Sequence, residues 1–336
     1  MSQIFFSSVT RITDLETRPF EVRSLPRTEW GQGDYVLCEV QGRPGPLYVV
    51  ERPSGRMPQV FDGDLVVGAF GTRAATLEGV GSWRDIGEDG ALHALTSAGL
   101  FGKLTSVSPM LPPLMELKYK GHLLRDRKLT MADFCPPSPP VPLEIPVILI
   151  IGTSMSSGKT TSGRVIVHEL TELGLKVAAA KLTGAARFRD MLLWRDAGAA
   201  HVFDFVDVGL PSTVCPPEEF SERLTSLLSM IAATGPDVLV AEAGASPLEP
   251  YNGSVAMEMI DGNVKLMVLC ASDPYAVLGV QRAFGRQPDL VCGPASNTEA
   301  AVELVGKLCG VPALNLLRRR SRPALREMLK ERLGIG

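Results

Sequence analysis

One stretch constrains this chain more than any other. An apolar run, Val147–Ile151, enters a Gly/Ser/Thr loop reading GTSMSSGKTT (Gly152–Thr161), which enters a helical pattern over Lys159–Leu173. A strand, a small-residue loop and a helix in that order place several backbone N–H groups and a helix N-terminus around one spot, which suits phosphate oxygens. Gly158 allows close backbone approach. Lys159 would contact β- and γ-phosphates, and the Thr160 hydroxyl would ligate Mg²⁺. Five residues separate Gly152 from the Gly158–Lys159 pair, and Thr153 stands where the usual four-residue spacing has its first glycine. The expected nucleotide contacts are Gly152, Thr153, Ser156, Ser157, Gly158, Lys159, Thr160 and Thr161.

The rest of the chain arranges itself around this loop. After it, apolar runs alternate with helical stretches: strands at Lys176–Ala180, Val238–Ala241, Val264–Cys270, Leu290–Cys292 and Pro312–Leu316. The helices fall at Phe188–Ala197, Phe220–Ala233, Pro274–Phe284, Thr298–Leu308 and Arg322–Leu333. Near-continuous apolar strands separated by helices predict an α/β, doubly wound, mostly parallel sheet covered on both faces. Before it, Asp34–Val40, Leu47–Glu51 and Asp64–Phe70 are β-branched runs bounded by turn residues, with later strands at Leu100–Val107 and Met115–Leu123. One helix is expected there, Ala91–Leu100. This half reads as a smaller β-rich domain, a barrel or a sandwich. CPPSPPVPLEIP, Cys135–Pro146, separates the halves; six prolines in twelve residues exclude helix and central strand. The predicted division is 1–134, a linker over 135–146, and 147–336.

Composition narrows the classes. The 336 residues suit two domains, and 45% apolar residues exclude a disordered chain. A net charge of −3 argues against a bulk polyanion binder. The longest apolar run, Ile145–Ile151, is far short of the ~20 residues of a membrane span. The N-terminus lacks a charged segment followed by an apolar one, so no signal peptide is read. Six cysteines stand singly, without a CxxC, which fits reduced thiols and a cytoplasmic location.

The five-residue loop spacing resembles dethiobiotin synthetase, whose loop reads GTDTxVGKT. VAAAKLT (Val177–Thr183) followed by Gly184, VAEAGA (Val240–Ala245) and the turn within Val268–Gly279 resemble later segments of that family, in order. The likeness covers about Ile145–Leu316. It implies a P-loop protein of the SIMIBI-type branch that includes dethiobiotin synthetase, cobyrinate amidases and nucleotide-driven metal-insertion proteins. The resemblance gives Lys159 and Thr160 the phosphate and Mg²⁺ roles, Lys181 a place between substrate and γ-phosphate, and Glu242 a share of the Mg²⁺. It places Thr183 and Gly184 at the end of a substrate loop. The family's Mg²⁺-binding aspartate has Asp190, Asp196, Asp204 and Asp207 as candidates, with Asp204 or Asp207 favoured and Asp204 chosen. A homodimer is a further expectation of the resemblance.

The residues' own chemistry points the same way. Ligands of a doubly wound sheet sit outside the carboxyl ends of its strands, where Lys181 and Glu242 are expected. A lysine after the apolar Val177–Ala180 is costly to bury without a partner, and an anion explains it; a buried stem with a solvated head is the alternative. Arg187 and Arg189 are candidate clamps for a substrate anion. The Phe203–Glu219 segment is a candidate lid or switch. Glu249, Tyr251 and Asn252 form a polar loop that could touch substrate. Cys215 has no base beside it, and the four histidines show no ligand spacing. The region where GTPases carry an N-K-x-D segment reads CGPASNTE (Cys292–Glu299), which favours ATP. The basic C-terminal residues (Arg318, Arg319, Arg320, Arg322, Arg326, Lys330, Arg332) read as a solvated helix face, and a nucleic-acid partner is not expected. The expected activity is ATP- and Mg²⁺-dependent phosphoryl transfer to a small carboxylate or carbamate, with Lys159, Lys181 and Glu242 as catalytic residues. Two alternatives stay open: a nucleotide-driven switch or cofactor- or metal-delivery NTPase, and an acyltransferase that binds coenzyme A on the loop.

Overall fold

The computed structural model describes residues 3–137, 140–244 and 246–336. By its internal contacts the chain forms two compact units. One consists of the first 137 residues with Gly184–Arg189 and Asp204–Arg223, and the other of the remainder.

The first unit is a β-structure of strands β1 (Ile4–Phe6), β2 (Glu21–Arg23), β3 (Tyr35–Gln41), β4 (Leu65–Phe70), β5 (Thr72–Ala75), β6 (Gly79–Ser82), β7 (Ala91–Ala94), β8 (Leu100–Val107) and β9 (Glu116–Leu124). The path β4-β3-β9-β7-β8 closes on itself because β8 also pairs with β4, through Ala69↔Leu100 and Phe70↔Phe101. The result is a small barrel whose interior is filled by Val36, Cys38, Val66, Phe70, Leu92 and Phe101. Closure removes edges that an open sheet would expose. Two expectations are corrected here. Ala91–Leu100 is not a helix: Leu92 and Ala94 point inward and Ala91 and His93 do not, a period of two that suits β7 between β8 and β9. The Leu95 N–H bonds the Leu100 carbonyl at 2.8 Å, and Gly99 takes φ +94° in the turn between them. Leu47–Glu51 is not a strand either; only Val49 bridges, to Gln59.

The second unit carries β10 (Val147–Gly152), α1 (Lys159–Glu172), β11 (Val177–Thr183), α2 (Phe188–Asp196), β12 (His201–Asp204), α3 (Pro217–Ala233), β13 (Val238–Ala243), α4 (Gly253–Ile260), β14 (Val264–Cys270), α5 (Pro274–Phe284), β15 (Leu290–Cys292), α6 (Glu299–Cys309) and α7 (Arg322–Leu333). The ends of α2, β12 and α3 include residues that cluster with the barrel. Six strands form one sheet in the order β12-β11-β13-β10-β14-β15, with β10, β13, β11, β14 and β15 paired in parallel. This is the doubly wound α/β arrangement. Every residue of β10, β11 and β13 is buried, as expected of strands covered on both faces. Pro312–Leu316 is not a strand: β15 is only three residues long, and Ala313 makes a single bridge to Val291 beside it. Residues 135–137 and 140–146 of the proline-rich connector are neither helix nor strand. Ser138 and Pro139 lie outside the described residues. No helix among the described residues is long and apolar enough to cross a membrane.

Candidate functional site

Gly152 ends β10 and Lys159 begins α1, so the loop sits at the carboxyl end of a central strand. Its shape depends on glycine. A Cβ on Gly152 would strike the Ser157 hydroxyl and come within 2.8 Å of Lys159 Cδ. Gly158 takes φ +92°, a conformation glycine adopts without cost. Just past the end of β15, Gly293 (φ +78°) packs so closely that a Cβ there would collide with the Ser157 carbonyl oxygen. The Ser157 hydroxyl donates to the Ser154 carbonyl at 3.0 Å, and Lys159 Nζ donates to the same carbonyl at 2.7 Å. Lys159 is only 2% exposed, and burial pushes its pKa down despite the nearby Glu242 carboxylate. A buried lysine folded back onto a glycine-dependent loop at the start of a helix is suited to an anion. The second unit is a P-loop fold.

Strand register assembles the rest of the P-loop unit's site. Lys181 on β11 lies directly across from Glu242 on β13, which in turn lies across from Ile150 on β10. Glu242 is 3% exposed, and burial raises its carboxyl above the ordinary value, partly offset by the ammonium groups of Lys181 and Lys159. Its Oε2 accepts from the Thr160 hydroxyl at 3.4 Å. Thr160 and Glu242 thus offer two oxygens beside the loop. Mg²⁺ in nucleotide sites takes one or two protein oxygens and completes its shell with phosphates and water, so the pair fits that ion. Among the described residues no cluster of three or more His, Cys, Asp or Glu forms a self-sufficient metal cage. Gly244 keeps the far wall open, since a Cβ there would lie 2.9 Å from Glu242 Oε1 and 3.4 Å from Lys159 Cε. Ala245, the last residue of the VAEAGA segment, lies outside the described residues.

Lys181 is buried and pairs with Asp190 at 2.9 Å. Asp190 sits in the first turn of α2, and its charge also reaches Glu242. Of the four aspartates weighed for the metal, it is the one that the P-loop unit brings to this spot. Asp204 and Asp207 fold with the barrel. There Arg11 Nη2 bonds Asp204 at 2.7 Å and Asp207 at 2.8 Å, and Asp204 caps the turn over Phe205–Val208 through the Val206 N–H. Asp204 Oδ1 is thus engaged by Arg11 and the Val206 N–H, whereas Asp190 is the acid that pairs with Lys181. Gly184, Arg187 and Arg189 also fold with the barrel, where the Arg189 N–H bonds Glu51. Thr183 remains at the P-loop site, its hydroxyl donating to the Gly244 carbonyl. Tyr251 is fully buried and so is core, and Glu249 accepts the Ser246 N–H at 2.8 Å. Burial pushes the Cys215 thiol up to about 12, the opposite of nucleophile activation. The site position of Asp190 had one sequence signal, an acid nine residues after Lys181 at a helix start.

A groove of about 170 Å³ opens beside Gly158 and the first turn of α1; Pro294, Asn297, Asn315 and Leu316 line it among others. None of its lining residues is acidic.

No family model matches the chain, and no curated protein sequence matches it. Solved structures share features of it at low identity. Chloroplast FtsY from Physcomitrella patens is 15% identical over 53% of this chain and 59% of that one, with a TM-score of 0.36. The signal recognition particle 54 kDa protein from Aeropyrum pernix, solved with GDP, is 13% identical over 57% and 50%, with a TM-score of 0.37. A DUF1611 family protein from Anabaena variabilis is 16% identical over 56% and 58%, with a TM-score of 0.34. The chain thus covers between half and three-fifths of these proteins' own length.

Proposed function

We propose that the chain is an ATP- and Mg²⁺-dependent phosphoryl-transfer enzyme of the dethiobiotin synthetase-like branch, acting on a small carboxylate or carbamate. The observation that supports this most is the Lys181–Asp190 pair, 2.9 Å apart and beside Glu242, at the carboxyl end of the strands next to the loop. Lys159 would bind the β- and γ-phosphate oxygens in place of the Ser154 carbonyl. Lys181, oriented by Asp190, would meet the negative charge shared by an anionic acceptor and the transferred phosphoryl group. Thr160 and Glu242 would hold Mg²⁺. When bound, Mg²⁺ would neutralise charge across the β- and γ-oxygens. Adenine is preferred to guanine because the segment Cys292–Glu299, CGPASNTE, lacks the N-K-x-D sequence with which GTPases read guanine.

The test is ADP release, followed with Mg²⁺-ATP against a panel of small carboxylates and carbamate-forming amines. Stimulation by one acceptor, lost in Lys181→Met while ATP still binds, is the expected result. Tight nucleotide binding with slow hydrolysis that no acceptor stimulates would sink the enzyme reading. That outcome would favour the nucleotide switch, a reading supported by the placement of Gly184–Arg189 and Asp204–Arg223, which follow strands of the P-loop sheet, among the barrel's contacts.

A further inference from the structure

The groove beside Gly158 does not end at the nucleotide base. It shares Ser296, Asn297 and Asn315 with a larger cleft of about 680 Å³, which no part of the proposed reaction uses. Asn315 forms the sill between them. Its amide is locked, with Nδ2 donating to the Asn297 carbonyl at 2.9 Å and Oδ1 accepting the Leu317 N–H at 3.1 Å. The Arg318 N–H then bonds the Asn315 carbonyl at 3.0 Å, which anchors the Arg318 backbone to that sill.

The charges of the cleft differ in how far they are committed. Arg320 pairs with Glu299 at 2.6 Å. Arg322 and Arg326, next along the chain, turn to the buried Glu169 on α1. Arg318 lines the cleft, and among the described residues it makes no ion pair. The remaining lining charge is Glu303, one turn along α6 from Glu299. One uncommitted guanidinium with an uncommitted carboxylate in the same cleft suits one compact anion at the Arg318 end, not a chain of phosphates. A guanidinium binds a phosphomonoester bidentately.

We infer that this cleft takes a phosphomonoester borne on the ribose of the nucleotide whose base occupies the adjoining groove. The preferred ligand is then an adenine nucleotide phosphorylated at a ribose hydroxyl as well as at the 5′ position. This rests on the adenine-nucleotide reading above. It goes beyond that reading by naming a second anchoring point about which ATP and ADP carry no information. Coenzyme A carries the same kind of ribose phosphate and is a natural second probe. Free inorganic phosphate bound beside ADP would offer the same chemistry from another source.

Calorimetric titration of the full chain separates these cases. The ligands are ADP, ADP with inorganic phosphate, the 3′- and 2′-phosphates of ADP, and coenzyme A. The proteins are the wild type and Arg318→Gln, with Arg318→Lys as a conservative control. One of the two ribose-phosphorylated nucleotides should bind about tenfold tighter than ADP. Arg318→Gln should erase that gain and leave ADP affinity unchanged, and Arg318→Lys should restore part of it. The gain should shrink as salt is raised. Equal affinities for all three nucleotides, or a gain that survives Arg318→Gln, would overturn the inference. So would an ADP affinity raised by inorganic phosphate as much as by the ribose phosphate, since the cleft would then take a free ion. Those outcomes leave the phosphoryl-transfer reading standing. Absence of ADP binding would sink the adenine-nucleotide reading itself, and ADP binding without acceptor-stimulated turnover would sink only the enzyme.

Discussion

Burial works against the charged forms of two groups, Lys159 and Glu242, lowering the pKa of the first and raising that of the second. Replacing Lys159 by Ala removes the only side-chain cation of the loop. Charge-assisted hydrogen bonds contribute about 1.5–3 kcal/mol, so titration calorimetry should find ATP affinity lower by at least tenfold; unchanged affinity would sink the loop assignment. Glu242 makes a prediction about pH. Burial raises its carboxyl above the ordinary 4.5. A group with a raised folded pKa contributes stability below its unfolded value and loses it as pH rises through the folded value. Without ligand, the wild type should therefore lose melting temperature relative to Glu242→Gln as pH climbs from about 4.5 toward neutrality. Scanning calorimetry across that range checks the sign. The same variant should bind Mg²⁺-ATP more weakly, because the amide gives up the charge that the metal needs.

At the scale of elements, two contacts hold the loop in place. Gly293, just past β15, lies where any Cβ would meet the Ser157 carbonyl, and its φ is +78°. Gly293→Ala should cost about 1–3 kcal/mol in urea unfolding. It should also weaken ADP binding, because the obstacle is backbone and the loop has to move to relieve it. On the other side of the helix, Glu169 of α1 is wholly buried and takes two hydrogen bonds from Arg326 of α7, at 2.9 and 2.7 Å. Arg326→Ala leaves that carboxylate with the more distant Arg322, at 3.6 Å. A loss of about 1–3 kcal/mol follows, and chemical denaturation measures it. The basic C-terminal cluster, read from sequence as a solvated face, is thus in part a staple for the phosphate-binding helix. Sequence alone hid this because Glu169 and Arg326 are 157 residues apart.

At the scale of the whole molecule, chain order and unit membership disagree. Asp204–Arg223 follows a strand of the P-loop sheet, yet belongs by contacts to the barrel, where Arg11 holds Asp204 and Asp207 and stacks on Phe188. Removing one partner of a buried ion pair costs about 3–5 kcal/mol. In Arg11→Met, hydrogen exchange should therefore speed at residues 204–208 together with 4–10, while β10 and β13 keep their protection. Loss of protection at β10 and β13 as well would contradict that division.

The α/β half was legible because its signals are local. Apolar runs bounded by turns place β10, β14, β15, α5 and α7 to within a residue or two, and a glycine–lysine–threonine between strand and helix can do little but face an anion. The barrel was legible as β-rich but not as closed, since closure is the single pairing of Ala69 and Phe70 with Leu100 and Phe101 across some thirty residues of chain. The short strand at Ala91–Ala94 read as helix for the same reason: four residues carry too little period to decide, and the flanking strands decide it. Tertiary structure alone chose among the aspartates. Asp190, Asp204 and Asp207 are chemically alike, and only packing sends one to Lys181 and the other two to Arg11. Local chemistry sets which groups a loop can bind. Which distant group completes the site depends on burial, and burial is a property of the folded whole.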